Sequence, residues 1–177
     1  MFEGKLHMHP VDTELRKWKS EDIENVAKYA NNIKIANNLR NAFPHPYTLE
    51  DAERYVSSCI ANSESDQCCR AIVVAGEVVG SIGIFIKDDV YCKSAEIGYW
   101  LAEPFWGRGI MTQAIMQLCE YAFDTYDIVR IFAEPFANNS GSRRSLEKAG
   151  FTLEGILKNS VYKNGQIVDS CIYAFIK

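Results

Sequence analysis

The stretch Pro104-Phe105-Trp106-Gly107-Arg108-Gly109-Ile110-Met111-Thr112 joins an apolar run to a segment of helical periodicity. The run before it, Ile97-Gly98-Tyr99-Trp100-Leu101, is typical of a buried strand, and the apolar residues of 110–123 fall on one helical face. A strand that enters a helix through a two-glycine loop presents unpaired backbone N–H groups at the positive end of the helix dipole. The stretch therefore predicts a site for anionic oxygens, most often phosphate.

Three residues of this loop suit such a site. Gly107 and Gly109 allow a tight turn and let a ligand approach the backbone without meeting a Cβ atom, and Arg108 adds a cation of fixed charge. No Gly-Lys-Ser/Thr follows, which excludes a Walker loop. No third glycine stands three residues after Gly109, so the stretch is a poor dinucleotide fingerprint. A plain strand-to-helix turn without a ligand is the alternative.

Length and composition narrow the class of protein. The chain has 177 residues, of which 47% are hydrophobic and 24% charged, as expected for one globular domain over residues 1–177. Its formal net charge of −4 argues against a nucleic-acid partner. The amino terminus, Met1–Lys5, is too polar for a signal peptide, and no stretch approaches the roughly 20 apolar residues of a membrane span. Six cysteines without a Cys-x-x-Cys pair indicate reduced thiols, so we expect a cytoplasmic protein without a metal.

The periodicity along the chain predicts a mixed α/β fold. Ser20 is predicted to cap a helix that runs to about Tyr29, and Thr48 with Asp51 forms a capping box for a helix to about Ile60. The other predicted elements are a short helix within 31–41, strands over 13–18, 69–75, 78–87, 94–101, 128–134, 151–157 and 167–176, and helices over 110–123 and 139–149. Turns are predicted at Gly76-Glu77 and Lys163-Asn164-Gly165. A meander followed by strand, helix, strand and helix favours a mixed sheet over a doubly wound one.

A second motif, Asn139-Ser140-Gly141-Ser142-Arg143-Arg144-Ser145-Leu146-Glu147-Lys148-Ala149-Gly150-Phe151, is a capped amphipathic helix that Gly150 ends. Together the two motifs resemble the GCN5-related N-acetyltransferases (GNAT). Glu96–Leu101 with Trp106–Met111 is similar to the family's acyl-CoA motif, Gln/Arg-x-x-Gly-x-Gly/Ala, although Trp106 replaces its first residue and Met111 its last. Asn139–Phe151 resembles the family signature Asn-x-x-Ser…Leu-Glu-Lys-x-Gly-Phe.

The resemblance covers about residues 15–175 and is strongest to the branch of the ribosomal-protein N-terminal acetyltransferases. It implies a mostly antiparallel central sheet of about seven strands flanked by helices. In that fold the fourth and fifth strands splay apart, and acetyl-CoA lies in the gap with its pantetheine arm along the fourth strand.

The resemblance also implies roles for individual residues. The expected acetyl-CoA contacts are Tyr99, Trp100, Leu101, Trp106, Gly107, Arg108, Gly109, Ile110, Met111, Asn139 and Arg144, with Arg143 as a further candidate for the phosphates. Ser142 is expected to protonate or solvate the leaving thiolate, and the alternative is a helix cap. Glu96 is expected to act as the base through water, unless it is a surface residue. Glu134, which leaves the fifth strand, is the second carboxylate considered.

These expectations describe an acetyl-CoA-dependent N-acetyltransferase in which a primary amine attacks the thioester directly, without a metal or a covalent enzyme intermediate. The branch favours a protein or peptide N-terminal α-amine as the acceptor. The alternatives are a small amine (a polyamine, an amino acid or an aminoglycoside), a non-catalytic acyl-CoA sensor, and a nucleotide-binding α/β domain. The sequence indicates neither one particular acceptor nor an oligomeric state.

Overall fold

The computed structural model describes residues 11–177, so the segment Met1–Lys5 lies outside the described residues. The helices are α1 (Ile23–Ala30), α2 (Ile33–Ala36), α3 (Leu49–Ala61), α4 (Ile110–Thr125) and α5 (Ser140–Lys148). The strands are β1 (Thr13–Arg16), β2 (Gln67–Val74), β3 (Glu77–Ile86), β4 (Ser94–Leu101), β5 (Arg130–Ala133), β6 (Thr152–Lys163) and β7 (Gln166–Ile176). None of the helices in this part of the chain is long and apolar enough to cross a membrane.

The seven strands form one sheet in the order β1-β2-β3-β4-β5-β7-β6. All neighbours pair antiparallel except β4 and β5, which pair in parallel because the crossover helix α4 connects them. The predicted fold class, a mixed and mostly antiparallel sheet flanked by helices, is confirmed.

Helices cover both faces of the sheet, and each face has its own apolar core. On one face α4 buries Ile110, Ile115 and Leu118, and α5 adds Leu146. On the other face α1, α2 and α3 pack around Trp18. Side chains alternate between the two faces along a strand, so neighbouring residues of β4 pack into different cores. The face with α1 to α3 therefore receives the side chain of Trp100, whereas Tyr99 packs on the α4 side.

The fourth and fifth strands separate soon after they meet, as predicted. Their parallel pairing runs only from Ser94 with Arg130 to Glu96 with Phe132. Beyond that pair β4 continues to Leu101, while β5 ends at Ala133. The second half of β4 therefore has an open edge.

The pairing of β4 with β3 shows which backbone groups face this open edge. Ala102 donates its N–H to the carbonyl oxygen of Val79 at 2.8 Å, which continues the ladder in which Trp100 pairs with Ser81. Because hydrogen-bonded pairs alternate along an antiparallel ladder, Tyr99 and Leu101 turn their N–H and C=O groups away from β3. The backbone N–H groups of Tyr99 and Leu101 therefore face the gap between β4 and β5.

Several predicted boundaries are wrong near the start of the chain. Strand β1 ends at Arg16 rather than residue 18, and Ser20 lies in a 3₁₀ turn (Ser20–Asp22) and does not cap α1. The carboxylate of Asp22 accepts the N–H of Lys19 at 2.8 Å instead, and it also binds Arg16 through two bonds of 2.8 Å. The capping box of Thr48 and Asp51 is confirmed.

The hairpins account for the other differences. Ala75 and Gly76, both with positive φ, form the β2–β3 turn one residue earlier than predicted. Strand β6 extends to Lys163 rather than residue 157, because residues 161–163 pair with β7 after a bulge. The predicted Asn164-Gly165 turn is confirmed, with positive φ at both residues. Strand β5 is shorter than predicted at both ends.

Candidate active site

The loop before α4 has the backbone that the two glycines predict. Gly107 and Gly109 have φ values of +72° and +76°, which other residues rarely adopt. Apart from the adjacent residues, no heavy atom lies within 4 Å of the Cβ that would be added at either position, so the space beside both glycines is open. Gly109 immediately precedes α4, whose first intrahelical bond runs from Gln113 N–H to the Gly109 carbonyl at 3.1 Å. The N–H groups at the helix start therefore have no intrahelical partner.

Two side chains hold this loop against the rest of the structure. Trp106 donates its Nε1–H to the carbonyl oxygen of Leu101 at 2.7 Å, which ties the loop to the open edge of β4. The guanidinium of Arg108 lies 5.5 Å from the ring centroid of Phe105, within the range of a cation–π contact. The predicted binding residue Met111 is buried in the core, so only its backbone is available to a ligand.

A cavity of about 560 Å³, here called the basic cavity, lies between this loop, the open edge of β4 and the start of α5. Four cationic side chains line it, and no carboxylate is among its described lining residues. The four are Lys34, Arg108, Arg144 and Lys148. This concentration of positive charge, in a chain with a formal net charge of −4, suits a ligand with several negative charges.

The start of α5 places polar side chains at the inner end of the basic cavity. Asn139 caps the helix, because its Oδ1 accepts the N–H of Ser142 at 3.2 Å. Its Nδ2 group has no protein partner among residues 11–177 and is available to a ligand. The alternative role considered for Ser142, a helix cap, belongs to Asn139, and the Ser142 hydroxyl bonds to Tyr99 instead. Arg143 does not face the cavity. It donates to the Tyr173 hydroxyl at 3.1 Å and to a backbone carbonyl.

The hydroxyl of Tyr99 lies 2.7 Å from Ser142 Oγ. Burial raises the pKa of Tyr99, so the phenol stays protonated at neutral pH. A protonated phenol can donate to Ser142 Oγ, and the proton of Ser142 is then free for another acceptor. Sequence reasoning predicted only a backbone role for Tyr99 and missed this hydroxyl pair.

A second cavity of about 980 Å³, here called the aromatic cavity, lies on the other side of the gap. Seven aromatic residues line it, namely Phe43, Tyr47, Tyr55, Phe85, Tyr99, Trp100 and Phe136. The two cavities have six lining residues in common, Asn38, Leu39, Tyr99, Trp100, Asn139 and Ser142. The basic and aromatic cavities therefore meet at the Tyr99–Ser142 pair.

The charged residues of the aromatic cavity are largely matched with one another. Arg40 forms an ion pair with Glu96, whose side chain is 19% exposed, and Arg54 contacts Asp51 at 3.4 Å. Glu96 has a second cation, Lys87, at 3.8 Å. Glu134 is the remaining charged residue in the lining, and no Lys or Arg among residues 11–177 lies within 4.0 Å of its carboxylate. Sequence reasoning ranked Glu96 first, but the structure gives Glu96 two cationic partners, and Glu134 has none among the described residues.

The residues predicted from the sequence for ligand binding thus lie together around one gap. Tyr99, Trp100, Leu101, the loop from Trp106 to Met111, Asn139 and Arg144 all line the basic cavity. Glu96 lines only the aromatic cavity, and Ser142 lines both. In the described part of the chain, no group of three or more His, Cys, Asp or Glu residues is placed to hold a metal ion.

Comparison with known proteins identifies the family. The chain is 34% identical over 100 residues to the ribosomal-protein-serine acetyltransferase of Escherichia coli, a match that covers 56% of this chain and 55% of that protein. It spans about half the length of this and of the other curated relatives that it matches at 34% to 37% identity. The spermidine N(1)-acetyltransferase of Escherichia coli is 26% identical over 164 residues, which are 90% of this chain and 84% of that protein.

Solved structures extend the likeness to the whole fold. The structure of RimL, a ribosomal alpha-N-protein acetyltransferase in complex with coenzyme A, has a TM-score of 0.81 and 26% identity, and it covers 94% of this chain and 96% of that one. Residues 12–152, which include the loop before α4 and the start of α5, match the acetyltransferase (GNAT) domain. This match covers most of the chain, and the structure has the splayed β4–β5 pair and the glycine loop. The chain therefore belongs to the GNAT acetyltransferase family.

Proposed function

We propose that this protein is an acetyl-CoA-dependent N-acetyltransferase whose acceptor is the N-terminal α-amine of a protein or peptide. The observation that carries the proposal is the meeting of two cavities of different character at the Tyr99–Ser142 pair. The basic cavity suits a polyanionic donor, and the aromatic cavity leaves one carboxylate for a cationic acceptor.

The basic cavity offers separate groups for each part of acetyl-CoA. The N–H groups at the start of α4 suit the pyrophosphate, and Arg108, Arg144 and Lys148 add positive charge nearby. The open edge of β4 offers N–H and C=O groups to the amides of the pantetheine arm. Asn139 Nδ2, at the start of α5, offers one more N–H donor. Acetyl-CoA, when bound, supplies the thioester that the amine attacks.

The transfer itself needs few groups from the protein. An N–H on the open edge of β4, from Tyr99 or Leu101, stabilises the negative charge that develops on the thioester oxygen. The amine nitrogen forms a bond to the carbonyl carbon, the carbon–sulfur bond breaks, and Ser142 donates a proton to the departing sulfur. Ser142 regains a proton from water, either directly or through Tyr99, which is then protonated again by water. The proposed base is a carboxylate of the aromatic cavity, and the role of Glu96 as that base stays a prediction.

The charges of the aromatic cavity favour an acceptor with one positive charge. Its two arginines form ion pairs with Glu96 and Asp51. Among the described lining residues, Glu134 is then the one carboxylate left to balance an ammonium group. A peptide N-terminus brings one ammonium with apolar and backbone groups behind it, which suits aromatic walls. A polyamine brings several cations and needs several free carboxylates. The relatives include both a ribosomal-protein acetyltransferase and a spermidine acetyltransferase, so a polyamine is the competing acceptor.

Release of free CoA from acetyl-CoA tests this proposal. The acceptors to compare are a peptide with a free N-terminus, the same peptide with a blocked N-terminus and an internal lysine, spermidine, and an aminoglycoside. We expect rapid release with the free peptide only. Faster release with spermidine would contradict the proposed acceptor, and CoA binding without release in any mixture would indicate a sensor. Displacement of CoA by equal concentrations of ATP would indicate a nucleotide-binding domain instead.

Ser142→Ala is expected to lower kcat about tenfold, because the thiolate then leaves without a proton donor but is itself a fair leaving group. Its acetyl-CoA affinity and melting temperature should change little, since Asn139 rather than Ser142 caps α5. Tyr99→Phe should lower kcat by a smaller factor, and the double variant should be no slower than Ser142→Ala alone if Tyr99 acts through Ser142. Steady-state kinetics on the four proteins test this, and additive losses would contradict the relay.

A further inference from the structure

Glu134 lies where β5 leaves the sheet, and its backbone is fixed on both sides. The pairing of Ala133 with Tyr173 continues as a bridge between Phe136 and Ser170 in the same register. Between them, Cys171 donates its N–H to the carbonyl of Pro135 at 2.9 Å. The exposed side chain of Glu134 is therefore carried by a segment beyond β5 whose backbone stays in register with β7 on both sides.

A buried hydroxyl orients this carboxylate. Ser170 is fully buried and donates its hydroxyl to Glu134 Oε1 at 2.9 Å. Ser160 Oγ lies 2.7 Å from Ser170 Oγ and accepts the Ser170 N–H at 3.1 Å, so the position of the Ser170 hydroxyl is fixed in turn. This support engages one oxygen of Glu134 and leaves the other free to face the aromatic cavity.

The other charged side chains of the aromatic cavity form ion pairs, so Glu134 is the carboxylate available to bind an ammonium group. The ionic side chains that line the cavity from other elements are Arg40, Glu96, Asp51 and Arg54, and they form the pairs Arg40–Glu96 and Arg54–Asp51. The other titratable residues of its lining are Tyr47, Tyr55 and Tyr99. Asp169, beside Ser170, is paired with Lys158. Glu96 already has two cationic neighbours, Arg40 and Lys87, so its carboxylate is less available for an ammonium group than that of Glu134.

We propose that Glu134 binds the ammonium group of the acceptor and takes its proton, and that Ser170 is the positioning residue that holds Glu134 in place. In this step R–NH₃⁺ transfers one proton to the Glu134 carboxylate. Glu134 passes this proton to water, and the neutral amine attacks the thioester. The nitrogen loses its second proton to the Glu134 carboxylate, or to water, as the amide forms and the carbon–sulfur bond breaks, and the departing sulfur takes a proton from Ser142. The inference rests on the proposed function, because it requires an amine acceptor in the aromatic cavity.

The pH dependence of Glu134→Gln tests the inference. An α-amine has a pKa of about 8, so most of it is protonated near neutral pH and must lose a proton before attack. At neutral pH we expect kcat/KM for the acceptor to fall about a hundredfold in Glu134→Gln. The deficit should shrink to about tenfold or less well above the amine pKa, where the acceptor arrives neutral. Ser170→Ala should show the same pH trend with a smaller loss.

Two further variants serve as comparisons. Glu96→Gln should lose less activity at neutral pH than Glu134→Gln, and Glu120→Gln removes an exposed carboxylate of α4 that lines neither cavity, so it should match the unmodified protein. Affinity for acetyl-CoA and the melting temperature should be unchanged in Glu134→Gln.

The outcomes separate the inference from the proposed function. A deficit of equal size at every pH, or a larger loss in Glu96→Gln than in Glu134→Gln, would overturn the role of Glu134 while the function stands. If the unmodified protein acetylates neither the peptide nor spermidine, the proposed function fails and the inference fails with it.

Discussion

Gly109→Val is expected to raise the Kd of acetyl-CoA more than about a hundredfold while the protein still folds. The valine side chain would stand in the open space beside the first N–H groups of α4, where the pyrophosphate is proposed to bind. Each charge-assisted hydrogen bond contributes roughly 1.5–3 kcal/mol, and each 1.4 kcal/mol is about tenfold in Kd, so the loss of two bonds exceeds a hundredfold. Titration calorimetry measures the change directly.

The control for this variant has to match its backbone strain, because valine at a positive φ destabilises any fold. Gly76→Val provides that control. Gly76 has φ of +81°, also has open space around it, and lies in the β2–β3 turn, outside both cavities. Both variants should lose similar thermal stability, and only Gly109→Val should lose acetyl-CoA affinity. Equal affinities for acetyl-CoA in the two folded variants would mean that the start of α4 does not bind acetyl-CoA.

Asn139→Asp is expected to lower kcat/KM for acetyl-CoA about a hundredfold with little change in melting temperature. Aspartate keeps the oxygen that accepts the Ser142 N–H and is as good a helix cap as asparagine, so α5 should stay intact. The substitution replaces the free Nδ2 donor with a charged acceptor. A hydrogen bond is lost and a carboxylate then faces the carbonyl it should bind, at a combined cost of about 2–3 kcal/mol.

Asn139→Ala separates the two roles of this residue. It removes the donor and the cap together, so it should lose about 1 kcal/mol of stability as well as activity. Kinetics and thermal unfolding of both variants give the comparison. Normal turnover in Asn139→Asp would mean that Asn139 is only a helix cap.

The sequence predicts those parts of the fold that depend on local patterns. The apolar run of β4 and the helical period of α4 both have the predicted start, because a buried strand and an amphipathic helix have distinct periods. The run over 128–134 predicts a longer strand than β5. Ile128 is buried without belonging to a strand, and the parallel pairing stops where the sheet splays. Strand β6 extends through polar residues because pairing with β7, and not burial, maintains it.

The residues of the candidate site likewise divide into those that local sequence patterns predict and those whose contacts depend on tertiary structure. The glycine loop and the Asn139–Ser142 segment are contiguous motifs, so their positions follow from the sequence. The Tyr99–Ser142 bond joins residues 43 positions apart, and the Arg40–Glu96 pair joins residues 56 positions apart. Such pairings depend on tertiary structure and decide which carboxylate is left without a cation. Reasoning from the sequence therefore names both Glu96 and Glu134 but cannot distinguish their electrostatic surroundings.

Mass spectrometry of a peptide acceptor tests the central claim most directly. The peptide should carry a free N-terminal amine and an internal lysine, and it is incubated with the protein and acetyl-CoA. We predict a gain of one acetyl group, located by fragmentation on the α-amine, with one CoA released for each peptide modified. An unmodified peptide while acetyl-CoA is bound, or an acetyl group on the lysine alone, would contradict the account.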